Sequence, residues 1–353
     1  MDNTTKVDLL SLYPEELTDL VLSIGEPKYR AKQIFSQIHK GVSPDEITNI
    51  GKETKKKLSN AAFFFLPKIR LKLVSAIDGT VKYLFELADG NTVESVVMKY
   101  KHGNTICVSS QVGCRMGCAF CASTIGGKVR DLSASEILGQ ILSAQNDIGE
   151  RISNIVMMGI GEPLDNYANV TRFLKLVGNE DGLNIGYRHI SLSTCGIVEK
   201  IDALAKESFP ITLSISLHAS NDETRSSIMP INKKWNIDAL LDACYRYYET
   251  TKRRISFEYT LISRKNDSEA SALELAELLN RKLRPKRTNE PFPIHVNLIP
   301  VNPVAETEFS ASDKAAVQKF AATLERKGIR ATVRRRLGSD INASCGQLRR
   351  EKS

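Results

Sequence analysis

Four of the seven cysteines in this chain lie in one short stretch, CVSSQVGCRMGCAFCAS, which begins at Cys107. Three of them, Cys114, Cys118 and Cys121, have the spacing C-x3-C-x2-C. A loop with this spacing can place three thiolates on one small metal centre, because cysteine thiolates are common ligands of zinc and hold iron–sulfur clusters. The stretch is therefore the first candidate for a chemically active site.

The kind of metal centre depends on whether a fourth ligand is available. A structural zinc site usually has four ligands in two separated pairs, and no second pair stands near this loop. Three thiolates on an iron–sulfur cluster leave one iron open to bind a substrate or cofactor. The spacing therefore favours an iron–sulfur cluster, and a zinc-stapled RNA-binding protein without catalysis remains the alternative from another functional class. The remaining cysteines are distant in sequence, and we interpret two of them as packing residues: Cys195 and Cys244.

The composition is typical of a globular protein, with 353 residues, 42% hydrophobic and 25% charged. No stretch approaches the roughly 20 apolar residues of a membrane span. The acidic, polar N-terminus does not have the pattern of a signal peptide. We therefore expect a cytoplasmic protein without a membrane partner. In that compartment thiols stay reduced, and clustered cysteines bind metal or catalyse.

The chain carries a net charge of +8, which is concentrated in short basic runs. One such run is usually a solvated surface, but several in a basic chain favour a polyanionic partner such as nucleic acid. Aromatic residues make up only 7% of the chain, so the composition gives no sign of a base-stacking platform. The runs occupy residues 52–57, 251–254, 281–287, 334–336 and 349–352.

Hydrophobic periodicity divides the chain into four regions. The pattern of residues 1–60 predicts helices that end at glycines. In residues 61–99 apolar and polar residues alternate, and the dipeptide DG occurs twice at turns, which predicts small β-hairpins. Residues 100–338 contain six β-to-α steps and a final short strand, and residues 339–353 form a C-terminal tail. The fold class is therefore α/β, a partial (β/α)6 TIM-like barrel or a doubly wound sheet, with a small N-terminal α+β accessory domain. In both architectures the active site lies at the carboxyl ends of the strands.

The cysteine spacing, after the first strand of a β/α repeat, resembles the signature of the radical S-adenosylmethionine (SAM) enzymes. Seven segments from about residue 90 to 350 resemble the RlmN-type dual-specificity rRNA/tRNA adenine-C2 methyltransferases, in the same order. They are CVSSQVGC, CAFCAST, MGIGEPLDN, SLSTCG, SLHASNDETRSSIMPIN, VNLIPVNP and DINASCGQLR. The sister Cfr-type enzymes methylate C8 of the same ribosomal adenosine. GEPLDN resembles the C2 enzymes, but VESVVMKYK resembles both, so C8 methylation remains an alternative.

The resemblance implies a partial (β/α)6 barrel of the radical SAM type. It implies methylation of C2 of an adenosine in the peptidyl transferase centre of 23S rRNA, and of C2 of adenosine 37 in tRNAs. Cys114, Cys118 and Cys121 would hold one [4Fe-4S] cluster per subunit. Each turnover would use two SAM molecules. A flavodoxin or ferredoxin would supply single electrons, and the protein would act as a monomer.

The family mechanism uses a methyl carrier, because C2 of adenine is an electron-poor carbon that a simple SN2 transfer does not methylate. By resemblance, Cys345 in ASCGQL is methylated first, and its S-methyl group then loses a hydrogen and adds to C2. Cys107 attacks the Cys345 sulfur, forms a disulfide and releases the RNA. Glu94 in VESV takes the C2 proton. Without the resemblance, Cys345 would be an incidental thiol, Cys107 a core residue and Glu94 a solvent-facing one.

The resemblance also implies a SAM pocket. Gly161 would let the backbone approach the ligand, and Glu162 would accept a hydrogen bond from the SAM amino group. We interpret His218 as a residue that lines the pocket, not as an acid or base. The N-terminal region, residues 1–60, has no motif of its own, and either docks RNA or caps the barrel. The other predicted pocket residues are Ser193, Ser216, Leu217 and Asn302.

Overall fold

The computed structural model of the chain describes residues 6–284, 292–302 and 308–343. Within this part the α-helices are α1 (Pro14–Ser23), α2 (Tyr29–Ile38), α3 (Lys52–Ala61), α4 (Ala134–Ile148), α5 (Tyr167–Val177), α6 (Val198–Lys206), α7 (Asp222–Ile228), α8 (Ile237–Thr251), α9 (Glu269–Leu283) and α10 (Lys314–Arg326). The strands are β1 (Val7–Asp8), β2 (Ala62–Phe63), β3 (Lys68–Val74), β4 (Val81–Glu86), β5 (Thr92–Tyr100), β6 (Gly103–Cys107), β7 (Gln111–Gly113), β8 (Lys128–Asp131), β9 (Ile152–Met157), β10 (Ile190–Thr194), β11 (Thr212–Ser216), β12 (Ile255–Leu261), β13 (His295–Pro300) and β14 (Arg330–Val333).

One large sheet organises the described part of the chain. Its order is β14-β13-β12-β11-β10-β9-β6-β5-β4-β3, parallel from β14 to β6 and antiparallel from β6 to β3. The six predicted β-to-α steps and the terminal strand are all present. The α/β prediction with a partial barrel is therefore confirmed. The antiparallel hairpins continue the barrel sheet directly, while the predicted domain boundaries stay a prediction.

Among the parallel strands, those from β6 to β13 have no exposed residue, because helices cover the sheet from outside, whereas β14 at the edge is mostly exposed. All seven residues of β12 are buried, and ten residues of α4 are buried. The predicted capping box begins α4: the Ser133 hydroxyl accepts the Glu136 N–H at 3.2 Å, and the Glu136 carboxylate accepts the Ser133 N–H at 3.0 Å. Gly149 ends the helix at φ +66°, a left-handed conformation that suits glycine.

The N-terminal helices are attached to the outer side of the barrel. Arg172 of α5 donates to the Glu16 carboxylate at 2.6 Å and lies over the Tyr13 ring, 4.3 Å from its centroid. Asp8 accepts hydrogen bonds from Ser11 and from Ser135 at the start of α4. These contacts fix residues 6–64 against α4 and α5. Among the described helices, none has the length and apolar character that a membrane span requires.

Candidate active site

A two-stranded ribbon, β7 with β8, holds the two ends of the cysteine loop together. Gly113 ends β7 at φ +77°, and a Cβ built on it would lie 2.0 Å from the Gly127 carbonyl oxygen. Only glycine fits this position, because the strands approach each other there more closely than a side chain allows. The Cys114 N–H then donates to the same Gly127 carbonyl at 3.0 Å. The loop therefore starts from a rigid base.

Asp165, in the GEPLDN segment after β9, binds both ends of the cysteine loop. Its carboxylate accepts from Gln111 at 2.9 Å before the loop and from Lys128 at 3.0 Å after it, and it also pairs with Arg115 inside the loop. Burial alone would raise the pKa of Asp165, but these three donors lower it. The next residue, Asn166, donates from one amide to the carbonyls of Ser110 and Leu132. GEPLDN is therefore the element that positions the loop.

The three cysteines of the loop line one cavity at the carboxyl end of the sheet. Burial, together with the neighbouring Cys121 and Glu162, raises the pKa of Cys114 to about 12. Burial also raises the pKa of Cys118. Such thiols stay protonated at neutral pH unless a cationic centre stabilises the thiolate. Five of the predicted SAM residues line the same cavity: Gly161, Glu162, Ser193, Ser216 and His218.

This donor set fits an iron–sulfur cluster. Among the described residues, no three His, Cys, Asp or Glu side chains lie close enough to surround a single metal ion. The three loop thiols line one cavity, and cysteine thiolates are the ligands that hold iron–sulfur clusters. Cys195 also lines the cavity, and its N–H donates to Glu162 at 2.7 Å. The interpretation of Cys195 as a packing residue therefore missed that it borders the site.

The backbone at Gly161 packs closely against Gln111 at the start of β7, and backbone N–H groups hold the Glu162 carboxylate in place. Gly161 has φ +109°, and a Cβ there would lie 2.7 Å from the Gln111 Cβ. The Glu162 carboxylate accepts the N–H groups of Leu164 at 3.0 Å and Cys195 at 2.7 Å. Burial raises the pKa of Glu162 in spite of these donors. An ionised carboxylate has about four acceptor positions, so it can also take a hydrogen bond from a ligand.

His218 is a neutral side chain at the end of β11. Its Nδ1 accepts the Thr260 N–H at 2.9 Å, so the proton of the ring is on Nε2. Burial, with a contribution from the charge of Arg225, lowers the pKa of His218 to about 3. The residue has φ +58° and stands edge-on to the Phe120 ring. His218 lines the cavity and has its Nε2–H left as a hydrogen-bond donor, and its role toward a ligand stays a prediction.

Two buried residues that the sequence reasoning did not select support this cavity. Arg225 is fully buried and donates to four oxygens, the carbonyls of Cys195, Ser216 and Leu217 and the side chain of Asn232. It thus joins the ends of β10 and β11. Its position in DETRSSIMP was the available signal, since a charged residue next to a buried strand needs partners.

The second buried residue that the sequence reasoning did not select is Glu258 on β12. It lines the cavity that contains the loop cysteines and is 3% exposed. It accepts from Asn297 at 2.7 Å and from Ser256 at 3.0 Å. Burial raises the pKa of Glu258. A glutamate inside the apolar run ISFEYTLIS was the sequence signal for it, because carboxylates are seldom buried without a reason.

A second cavity adjoins the first and is lined by Glu94, Cys107 and Asn302. The two cavities share Met158 and Arg334 in their linings. Burial raises the pKa of Cys107, and the positive charge of Arg334 opposes this change. Glu94 is 2% exposed, so the interpretation of a lone solvent-facing glutamate is wrong. The structure thus brings the predicted base and the predicted resolving thiol to one cavity beside the cysteines.

The remaining predicted residues lie in different places. Leu217 is fully buried and is not among the described residues that line either cavity; its carbonyl accepts from Arg225. Asn302 belongs to the second cavity and not to the first. Cys345 lies outside the described residues, so its pairing with Cys107 stays a prediction. The described cysteines are all free, and Cys244 is fully buried in α8, as its packing interpretation requires.

Comparisons with known proteins show which family this chain resembles. Residues 108–276 match the family model of the radical SAM superfamily. Residues 7–64 match the family model of the ribosomal RNA large subunit methyltransferase N-terminal domain. The structure resembles a radical SAM methyltransferase from Sphaerobacter thermophilus with 39% identity and a TM-score of 0.90, covering 97% of this chain and 98% of that one.

Two curated relatives carry the name "probable dual-specificity RNA methyltransferase RlmN". The one from Clostridium novyi (strain NT) is 53% identical over 345 residues, which are 97% of this chain and 98% of the relative. The one from Alkaliphilus metalliredigens (strain QYMF) is 53% identical over 347 residues, 98% of this chain and 96% of the relative. The resemblance predicted from the sequence is thereby confirmed. The chain belongs to the RlmN family of dual-specificity RNA methyltransferases, within the radical SAM superfamily.

Proposed function

We propose that this enzyme methylates C2 of adenosine, in the peptidyl transferase centre of 23S rRNA and at position 37 of tRNAs, through a cysteine that carries the methyl group. The observation that carries the proposal is the pair of adjoining cavities. One is lined by the three loop cysteines, and the other by Glu94 and Cys107. The family's activity supplies the substrate class, and the relatives bear the RlmN name, so C8 methylation is not favoured.

The first cavity would hold the cofactors. Cys114, Cys118 and Cys121 would hold a [4Fe-4S] cluster, which when bound would supply the single electron for the reductive cleavage of SAM. His218 would donate from Nε2 to the bound SAM, and Glu162 would accept from its amino group. The buried walls of this cavity would keep water away from the cleavage reaction.

The second cavity would hold the adenine. Cys345 would bring its S-methyl group to C2, and Glu94 would take the proton that leaves C2. Cys107 would then attack the Cys345 sulfur: a sulfur–sulfur bond would form and the bond from that sulfur to the transferred carbon would break. The released carbon would take up one proton to become the methyl group, and the unpaired electron of the adduct would pass to a one-electron acceptor such as the oxidised cluster. Arg334, exposed at the mouth of both cavities, lies in the basic run 334–336, whose members all line the second cavity. These cations would bind RNA phosphate.

The finer assignments belong to the same proposal. The enzyme would act as a cytoplasmic monomer and take electrons from a flavodoxin or ferredoxin. Residues 1–60 would be an accessory region, residues 61–99 the hairpins, residues 100–338 the catalytic core and residues 339–353 the carrier tail. Two SAM molecules would be used in each turnover.

The position of the new methyl group tests the proposal. Anaerobically reconstituted enzyme is incubated with SAM, dithionite and either a 23S rRNA fragment or tRNA, and the RNA is digested to nucleosides. We expect 2-methyladenosine from both RNAs. The appearance of 8-methyladenosine instead would support the C8 alternative. A colourless zinc protein without methylation would support the RNA-binding alternative.

A further inference from the structure

A lysine is buried next to the predicted base. Lys82 on β4 is 0% exposed, and its Nζ lies 3.1 Å from a carboxylate oxygen of Glu94 on β5. The same Nζ donates to the carbonyl of Asn342 at 2.8 Å. A lysine ammonium is seldom fully buried unless it is paired, because desolvation is costly. This ammonium is thus in contact with both the predicted base and the C-terminal tail.

Strand register places Lys82 in a row with the predicted resolving thiol. Lys82 pairs with Val96 on β5, and Val96 pairs with Cys107 on β6. Side chains of directly paired residues share one face of a sheet. Lys82, Val96 and Cys107 therefore form one row across three strands, on the face that carries Glu94.

The tail is fastened to the turn between β3 and β4 just before it reaches this row. The Asp340 carboxylate accepts from the Ser75 hydroxyl at 2.7 Å and from the Ala76 N–H at 2.9 Å. The Gly338 N–H donates to the Asp78 carboxylate at 2.9 Å. Residues far apart in sequence are thereby joined by three hydrogen bonds, which form a docking site for the tail.

On both sides of this docking site the chain packs over the row of strand residues. Leu337 and Ala343 are in contact with a small buried cluster formed by Val96, Met98 and Cys107. Leu337 and Ala343 also line the second cavity. The last described residue of the tail thus lies beside the cavity that holds Glu94 and Cys107, close in sequence to the predicted methyl carrier.

We propose that Lys82 is a positioning residue, which joins the docked tail to Glu94 so that the methyl carrier and the base meet the adenine in one fixed geometry. This inference rests on the function proposed above. Lys82 acts through the Asn342 carbonyl and the Glu94 carboxylate, and does not itself touch the substrate. Displacement of a reacting group by about 1 Å can lower a rate about 100-fold. If the tail were not held in place, 5′-deoxyadenosyl radicals would therefore form without methylation of an adenosine.

The test is the amount of 5′-deoxyadenosine formed per methylated adenosine in a single turnover. We expect Lys82→Met to raise this ratio at least about tenfold, with the cluster content of the wild type, because the radical forms but the carrier is misplaced. Lys82→Arg should restore part of the coupling, since arginine keeps the charge and the donors. Asp340→Ala loosens the docking site without touching the buried pair, and should raise the ratio by about two- to fivefold.

Lys72→Met is the matched control. Lys72 lies on the same hairpin, and its ammonium pairs with the Asp147 carboxylate at 2.6 Å and not with the tail. The ratio of 5′-deoxyadenosine to methylated adenosine should therefore keep its wild-type value in Lys72→Met. A purely structural role for Lys82 would lower 5′-deoxyadenosine and product together and leave the ratio unchanged. An unchanged ratio in Lys82→Met overturns the proposal. Should that variant fail to fold, an unchanged ratio in Asp340→Ala overturns it. If the wild type makes no 2-methyladenosine, the proposed function itself is wrong.

Discussion

At the scale of single residues, the cysteines differ in the cavity that they line, and their predicted roles differ accordingly. The loop cysteines line a cavity that also contains Glu162 and His218, whereas Cys107 lines the adjoining cavity with Glu94. Cys244 is fully buried in α8 and borders neither of these cavities in the described part of the chain. One residue type therefore serves as predicted metal ligand, predicted resolving thiol and packing residue.

Cys107→Ala should trap RNA on the protein. Without the thiol that attacks the Cys345 sulfur, the bond between carrier and RNA stays intact. A denaturing gel should show a protein–RNA species that forms only with SAM and reductant. Cys244→Ala is the control, because it removes a buried thiol away from both cavities and should turn over normally. A Cys107→Ala enzyme that releases methylated RNA at the wild-type rate would rule out its role as the resolving thiol.

At the scale of elements, the GEPLDN segment positions the cysteine loop. Asp165 accepts from Gln111, Arg115 and Lys128, which lie before, within and after the loop. The sequence indicated this segment as a SAM-binding motif and as a feature shared with the C2 enzymes, but not as a support for the loop. Its second task involves partners more than thirty residues away along the chain, and a local pattern does not reveal such partners.

Asp165→Asn should weaken the hold on the iron–sulfur cluster. The amide loses the charge that Arg115 and Lys128 require, at a cost of about 1–3 kcal/mol of local stability. We expect the Asp165→Asn variant to lose iron to a chelator faster than the wild type does. The melting temperature of the rest of the protein should change little. Asp147→Asn is the matched variant: Asp147 also accepts from a lysine and a second donor, Tyr83, but lies on α4. Equal iron retention in wild type and Asp165→Asn would contradict the positioning role.

The elements themselves were largely predictable. The alternation of apolar runs and helical periods gave the six β-to-α steps, and the S-x-x-E pattern gave the capping box at Ser133. The burial of β5 was not predictable, because VESVVMKY alternates like a half-exposed strand. In the structure Ser95 bonds to Gln140 of α4 on one side of β5. The C-terminal tail covers the other side near Val96.

At the scale of the whole molecule, one continuous sheet joins the two parts of the site. β5 carries Glu94, β6 ends at Cys107, and the neighbouring β9 leads into the GEPLDN segment. The sequence showed hairpins followed by a barrel, but strand order in a sheet depends on pairings between distant segments. The contacts of Lys82 and Arg225 were missed for the same reason, since their partners are separated in sequence or are backbone carbonyls.

The most direct measurement follows the hydrogens of the methyl group. The enzyme is incubated with SAM that carries a CD3 group, and the mass of the methyl group in 2-methyladenosine is determined. A carrier cysteine whose methyl group loses one hydrogen to the radical predicts two deuterium atoms in the product and the third in 5′-deoxyadenosine. A product that retains all three deuterium atoms would show direct transfer from SAM, and would contradict the role of a methyl-carrying cysteine.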